Sequence, residues 1–257
     1  MSNKLFNNFP TLHYTLNTGE IVRIKDFFRK AKVETAALDS VIEYQYYEIL
    51  DGERPDVVAS KLYGDGNLHW TFFLVNDFDN YYDWFMDYDT FNNYINEKYP
   101  GQCLIFDDAS TIISPQSFAN SEKSNVNPLG WEGDNKILIG ETLTLLPDTK
   151  KVSVLQVDPT HNCIVVTGDI IESGDSLFSN VSAKTISPTS VMNHRDGVHH
   201  YVDSVGTHRT YGGSGWSSVS HLKKEEEENE KKRQIKIIRP ERMKRVLREF
   251  ERIMSDE

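Results

Sequence analysis

The sequence is poor in cysteine and has no long apolar run. Only two cysteines, Cys103 and Cys163, occur in 257 residues, and they do not form a metal-type pair. We therefore expect two reduced thiols in a protein made in the cytosol. No run approaches the roughly 20 apolar residues that a membrane span needs. The opening residues, MSNKLFNNFP, contain one Lys but no apolar stretch of the secretory type. The sequence thus predicts neither a membrane association nor export.

Positive charge is scarce except near the end of the chain. The net charge of −11 argues against a nucleic-acid-binding protein. Residues 1–222 carry 29 acidic and 16 basic side chains, whereas residues 223–257 carry 10 and 12. An acidic run, Glu225 to Glu228, precedes a basic stretch from Lys231 to Arg252. Such blocks of opposite charge can dock on each other or on neighbouring proteins.

Histidine- and glycine-containing motifs are incomplete. His194, His199 and His200 are close in sequence, but adjacent residues point to opposite faces of a strand, which disfavours a metal site. The HRD tripeptide at 194–196 lacks the other kinase motifs, and GGSG at 212–215 lacks the helix and lysine of a phosphate-binding loop. We predict no metal site and no cofactor.

Carboxylates are abundant, and three lie among aromatic residues: Asp83, Asp87 and Asp89. A glycoside hydrolase places two acids across a sugar cleft, so this segment leaves a hydrolase open as an alternative. Acids between aromatic residues are equally typical of a solvated loop. Since no nucleophile motif is present, we predict that the protein is not an enzyme.

The stretch from Tyr46 to Asp77 contains a complete small motif. The residues up to Leu50 predict a strand, Pro55 suits the first turn of a helix, and Gly64 suits its left-handed end. A second helix is expected to end at Asn76. Its apolar side is predicted to consist of Leu68, Phe72 and Val75, widened by Trp70, Phe73 and Leu74.

Two less regular segments flank this motif. Residues 1–40 look like an arm with a loose strand in FNNFPTLHYTL and a short helix at 24–32. After the motif comes an aromatic cluster, Tyr81, Tyr82, Trp84, Phe85 and Tyr88. Such density is typical of a recognition surface, but equally of a small core packed under a loop. A helix capped by Asp89 or Thr90 is then expected to run to Pro100–Gly101.

The second half of the chain changes character. Residues 103–190 hold short β-rich runs about ten residues apart with turn signals between them, which predicts an inserted antiparallel all-β domain. Residues 191–257 predict a hairpin around Ser204–Gly206, a flexible Gly–Ser linker, a charged helix, a strand at QIKII and an amphipathic helix after Pro240.

The motif at 41–102 resembles a lysin-motif domain, a strand–helix–helix–strand module that often binds N-acetylglucosamine polymers. The matching positions are Tyr47, Ile49, Asp51, Gly52, Glu53, Ala59, Tyr63, Gly64, Leu74 and Asn76. Arg54–Pro55 and Leu68–His69–Trp70 depart from the glycan-binding pattern. The predicted class is α+β: a lysin-motif-like core, an inserted small all-β domain, and a C-terminal strand with an amphipathic helix.

Longer stretches resemble the small baseplate wedge proteins of T-even-type contractile-tailed phages. They are GERPDVVASKLYGDGNLHW, FFLVNDFDNYYDW, ENEKKRQIKIIRP, FNNFPTLHY, IKDFFRK and VHHYVDSVGTHRT. The resemblance covers about 1–101 and 194–254, so 103–190 looks like an insertion. It implies a structural virion protein of the tail baseplate, assembled in the host cytoplasm.

The implied partners are other wedge subunits and the adjacent wedge in a sixfold hetero-oligomer, without nucleic acid or membrane. Interface hot spots favour buried aromatics and Arg. The interface candidates are Tyr63, His69, Trp70, Tyr81, Tyr82, Trp84, Phe85, Arg233, Ile235, Ile237, Arg239, Met243, Leu247 and Phe250. Peptidoglycan binding is the alternative function. Deletion of 236–257 is expected to leave the lysin-like region folded but to block wedge incorporation.

Overall fold

The computed structural model of the chain describes residues 9–26, 44–107, 137–147, 150–181 and 183–255. Contacts divide the chain into two units. Unit 1 comprises Met1–Phe91 and Glu228–Glu257, and unit 2 comprises Asn92–Glu227. Both units contain helical segments and antiparallel sheets. The predicted α+β class is confirmed.

Unit 1 begins with a hairpin of β1 (Thr11–Thr15) and β2 (Ile21–Lys25). The strand predicted in the arm is therefore present as β1. Residues 24 and 25, expected to start a helix, instead end β2, since they pair with residues 12 and 11. The rest of that expected helix lies outside the described residues.

The central motif of unit 1 follows its local signals. After β3 (Tyr44–Glu48), helix α1 (Pro55–Tyr63) starts with its proline at the first position and ends at Gly64, which has φ 74°. A 3-10 helix (Gly66–His69) leads into α2 (Trp70–Asn76), whose buried residues include Phe72 and Val75 as predicted. A glycine at the end of α1 relieves the steric cost of the left-handed conformation.

The strand that pairs with β3 comes from the other end of the chain. It is β14 (Gln234–Ile238), antiparallel to β3 with Ile235 opposite Tyr47. The side-chain amide of Asn76 accepts from the Lys236 N–H and donates to the Lys236 carbonyl, each at 2.8 Å. These bonds occupy the backbone groups of Lys236 that do not face β3, so they cover part of the outer edge of β14.

Helix α5 (Met243–Ser255) closes the same core after a 3-10 turn at Pro240–Arg242. Its apolar residues Met243, Leu247 and Phe250 are buried, and the Phe250 ring lies 4.6 Å from that of Trp70. The predicted stripe therefore packs on this chain. The core of unit 1 includes Ile49, Val58, Ala59, Leu68, Trp70, Phe72, Val75, Trp84, Phe85, Ile235, Ile237, Ile238, Met243, Leu247 and Phe250.

Unit 2 is built on one seven-stranded sheet. Its order is β10–β4–β7–β6–β5–β8–β9, and all neighbours are antiparallel. The strands are β4 (Gln102–Ile105), β5 (Thr142–Leu146), β6 (Lys151–Asp158), β7 (Cys163–Gly168), β8 (Ser176–Ser179), β9 (Lys184–Ile186) and β10 (Ser190–Asn193). Inward residues such as Leu104, Val154, Ile164 and Leu177 form a second core. The four β-rich runs of the sequence are β5 to β9, and β4 and β10 extend the sheet beyond them.

A three-stranded sheet follows, in the order β12–β11–β13. The predicted hairpin is present: β11 (Val198–Val202) pairs with β12 (His208–Arg209) around a turn held by the Asp203 carboxylate. Its third strand, β13 (Ser217–Ser220), was not anticipated, because this Gly–Ser-rich stretch suggested a flexible linker.

Two helices, α3 (Tyr88–Lys98) and α4 (His221–Lys231), contain the unit boundaries. The cap of α3 is Asp87 rather than the predicted Asp89 or Thr90, because its carboxylate accepts from the Thr90 N–H at 2.9 Å. Within unit 2, Glu225 on α4 accepts from Tyr99 at 2.9 Å and from Lys98 at 3.1 Å. Burial alone would raise the pKa of Glu225, but hydrogen bonds from Lys224, Lys98 and Tyr99 lower it to about 2.

The fully buried Ile237 gives a direct test of the unit 1 core. Ile237→Ala should destabilise the protein by about 2–5 kcal/mol, because it removes methyl groups that the core cannot replace. Val57→Ala is the matched control, since Val57 on α1 is 50% exposed and its truncation should cost less than about 0.5 kcal/mol. Urea unfolding of both variants measures the difference. Equal midpoints for the two would contradict the burial of Ile237.

The structure reverses the outcome expected for a C-terminal deletion. Removing 236–257 takes Ile237, Ile238 and the buried face of α5 out of the core of unit 1. We therefore predict that unit 1 of the truncated chain does not fold. Limited proteolysis should then cut within 44–91 while the sheet of unit 2 resists, and protection of 44–91 would disprove the prediction.

Candidate partner interface

The turn between β3 and α1 is organised by Glu53. Its carboxylate accepts from the Tyr47 hydroxyl at 2.8 Å, from the Leu50 N–H at 3.0 Å and from the Lys61 ammonium at 3.1 Å. Burial would raise the pKa of Glu53, but these hydrogen bonds hold it below its usual value. The turn is therefore held as an ionised, hydrogen-bonded unit.

The predicted aromatic cluster is split between core and surface. Trp84 is buried, its indole N–H donates to the Glu53 carbonyl at 2.8 Å, and its ring lies 5.8 Å from that of Phe72. By contrast, Tyr81 and Tyr82 are 53% and 49% exposed. The two interpretations of the cluster thus apply to different members of it.

Phe85 and the residues around it join the two chain segments of unit 1. The Arg233 guanidinium lies 4.1 Å from the centre of the Phe85 ring. Arg233 also donates to Glu230 at 2.7 Å and to the Ile49 carbonyl at 3.2 Å. Next to it, the Asn229 amide exchanges two hydrogen bonds of 2.9 Å with the backbone of Met86. These contacts serve the internal packing of unit 1.

The structure sorts the interface candidates by exposure. Eight are buried in the core of unit 1: Trp70, Trp84, Phe85, Ile235, Ile237, Met243, Leu247 and Phe250. Three are half-buried: Tyr63, Arg233 and Arg239. The exposed ones are His69, Tyr81 and Tyr82. In this conformation only the last two groups offer side-chain surface to a partner.

Exposed apolar residues outside the candidate set add to the surface of unit 1. Tyr46 on β3 is 66% exposed, Leu50 is 56% exposed and Val57 on α1 is 50% exposed. Strand alternation could have found Tyr46, because it points away from the core when Tyr47 turns toward Glu53.

Two of the three acidic residues named in this region, Asp83 and Asp87, have structural roles. Asp83 accepts from the N–H groups of Asp79 and Asn80 at 2.9 and 3.0 Å, which forms a capping box at the 3-10 helix Tyr81–Asp83. Asp87 caps α3. Both carboxylates are therefore engaged by backbone donors, and the third candidate, Asp89, is exposed on α3.

A histidine cluster occupies unit 2. His221, at the start of α4, lies 5.3 Å from His194 and 5.2 Å from His199 between ring centres. His199 and His200 share a hydrogen bond of 2.9 Å between their Nδ1 atoms, and His221 Nδ1 is buried without a hydrogen-bond partner. Within the described residues, no group of three or more His, Cys, Asp or Glu side chains has the geometry of a metal site.

Residues 4–102 match the family model described as base plate wedge protein 53. This match confirms the resemblance to phage baseplate wedge proteins over the first segment of unit 1, with the arm, and over the start of unit 2. The family name indicates a structural protein of the phage baseplate, associated with other baseplate components. No curated protein matches the chain. Among the described helices, none has the length and apolar character to cross a membrane.

The histidine cluster predicts acid sensitivity. Burial, followed by the charges of His194, His199 and His161, lowers the pKa of His221 to about 4, while Asp158 opposes this. Between about pH 6.5 and pH 4, His221 therefore binds a proton in the unfolded chain but not in the folded chain. Neutral His221 makes its full contribution to the free energy of unfolding above pH 6.5. This contribution, on the order of 1 kcal/mol after allowance for solvent screening, is lost as the pH falls toward 4.

Urea unfolding at several pH values measures this effect. His221→Gln should flatten the fall in unfolding free energy between pH 7 and 4.5, whatever its effect on stability at neutral pH. The control is His69→Gln, an exposed histidine of unit 1. If the unfolding free energy of His221→Gln falls with pH as steeply as that of the wild type, His221 is not the source of the acid sensitivity.

Proposed function

We propose that this chain is a structural subunit of the baseplate wedge that binds the wedge core and joins neighbouring wedges around the central hub. It would act as one component of a sixfold hetero-oligomer assembled in the host cytoplasm. The match of residues 4–102 to base plate wedge protein 53 carries the proposal. The capping roles of Asp83 and Asp87 support a binding rather than a catalytic task.

A lysin-motif-like core is part of this proposal. The order β3, α1, α2 and β14 is strand, helix, helix, strand, with the last strand supplied by the end of the chain. In this proposal 41–102 is the lysin-motif-like domain, preceded by the arm at 1–40, and 103–190 is an insertion into the wedge protein. Residues 191–257 return the chain to the lysin-like core.

The exposed candidates define where a partner would bind. The ring centres of the adjacent residues Tyr81 and Tyr82 lie 6.4 Å apart, with an angle of 71° between the ring planes. Each of the two residues is half exposed to solvent. Tyrosine contributes large contact area at low cost in conformational entropy, so such a pair suits an interface hot spot. The buried Trp84 and Phe85 that follow hold this segment on unit 1. Tyr63, Arg233 and Arg239 would contribute their partly exposed surfaces.

Peptidoglycan binding is the competing function, favoured by the strand order of the core. Its weakness is that Trp84 and Phe85 are buried and cannot stack on sugar rings. Sedimentation of the full chain with purified sacculi separates the two functions. Tight binding that disappears in a Tyr81→Ala/Tyr82→Ala variant would support glycan recognition and contradict a purely structural role.

The structural proposal predicts the behaviour of the same variant in tails. Tyr81→Ala/Tyr82→Ala should fold normally, since both side chains are exposed. Its incorporation should fall at least about tenfold, because loss of hot-spot contacts costs about 2 kcal/mol or more. Quantitative mass spectrometry of purified tails measures incorporation, with six wild-type copies per baseplate expected.

The matched control is Tyr211→Ala, a 65% exposed tyrosine of unit 2 outside the family match. Wild-type protein absent from tails would refute the proposed function. Normal incorporation of the double variant would move the interface away from Tyr81 and Tyr82.

A further inference from the structure

A groove in unit 1 lies between the end of α1 and the start of α5. Its cavity volume is about 540 Å³, within the range typical of ligand pockets. The apolar lining includes Leu62, which is half-buried, above the buried side chains of Met243 and Leu247. Lys244 and Arg248 lie along one side. The groove therefore combines an apolar floor with two cations.

The two cations lie one helical turn apart on the exposed side of α5. The Arg248 Nε donates to the Lys244 carbonyl at 3.2 Å, so the two residues lie on the same helical face. Across the groove, the Asp65 carboxylate accepts from the backbone and the side-chain amide of Asn67 at 2.9 and 2.8 Å. Asp65 thus caps the 3-10 helix Gly66–His69, and the α5 side of the groove stays positive.

The positive character is local, because the chain as a whole carries a net charge of −11. That net charge disfavours approach to an anionic bilayer or to nucleic acid. Insertion of α5 into lipid would also need its apolar face, but Met243, Leu247 and Phe250 are buried in the core. A protein segment with a matching local charge is the remaining class of occupant that fits both features.

We propose that this groove binds an acidic amphipathic helix of another baseplate subunit. Apolar residues of that helix, spaced three or four apart, would fill the groove over Leu62 and Tyr63, which are the half-buried members of its lining. Asp or Glu residues on its flank would face Lys244 and Arg248, which fixes orientation and excludes basic segments. The proposal rests on the proposed structural function and names the chemistry of one partner surface.

Carbodiimide cross-linking of intact tails tests this directly, because it joins a lysine amine to a carboxylate in contact with it. Mass spectrometry should find Lys244 joined to an Asp or Glu of a different tail protein, within a segment whose apolar residues recur every three or four positions. If the chain is present in tails but Lys244 is joined only to its own carboxylates, or to none, the groove proposal is wrong. If the chain is absent from tails, the structural function itself fails.

Charge reversal gives an independent readout. Lys244→Glu/Arg248→Glu should keep the thermal midpoint within a few degrees, since both side chains are exposed, and should lower incorporation at least tenfold. Arg245→Glu/Arg252→Glu changes the net charge equally on the same helix, at residues that do not line the groove, and should be incorporated normally. Equal loss in both variants overturns the proposal.

A last comparison separates a protein partner from a lipid surface. Wild type and Lys244→Glu/Arg248→Glu are sedimented with vesicles of phosphatidylcholine and phosphatidylserine. Neither should bind. Vesicle binding by the wild type that the double variant loses would assign the groove to anionic lipid and overturn the proposal.

Discussion

The pairing of β14 with β3 is the constraint on which the rest of unit 1 depends. It joins residues 44–48 to residues 234–238 and brings α5 against α1 and α2. Without it, β3 has no partner strand among the described residues, and the Trp70 ring loses its contact with Phe250. The Asn76 amide then completes the arrangement by engaging the outer edge of β14. Two strands alone are marginal in water, so the sheet relies on the helices packed against it.

This constraint also decides which residues remain for partners. Aromatic and aliphatic side chains that would suit an interface, such as Trp84 and Leu247, are used to hold the two chain segments together. The residues that face outward include the Tyr81–Tyr82 pair, Tyr88, the cations Lys244 and Arg248 of α5, and the apolar positions Tyr46, Leu50 and Val57. This division follows from the small size of unit 1, because a small unit needs most of its apolar surface for its own core.

Much of the local structure could be predicted from the sequence, and the long-range structure could not. Pro55 and Gly64 set the limits of α1 through backbone geometry that neighbouring residues determine. The hairpin of β11 and β12 was equally local. The partner of β3 was missed in the sequence because pairing across almost the whole chain leaves no trace in local periodicity.

Burial was the other quantity that residue type did not determine. Trp84 and Tyr82 are both aromatic, yet Trp84 is buried and Tyr82 is half exposed. A prediction of interface residues from residue type alone therefore includes both core and surface residues. Two short strands could not be predicted for a related reason. Strand β10 has four residues and β13 is rich in serine, so their pairing depends on neighbouring strands rather than on their own composition.

The interrupted course of unit 1 has a consequence for biosynthesis. All strands of unit 2 leave the ribosome before β14 is made, since unit 2 ends at Glu227 and β14 begins at Gln234. Translation thus delivers the described strands of unit 2 before unit 1 has received its β14 and α5. A ribosome that stalls before β14 therefore releases a chain in which unit 1 lacks β14 and α5 and has no closed core.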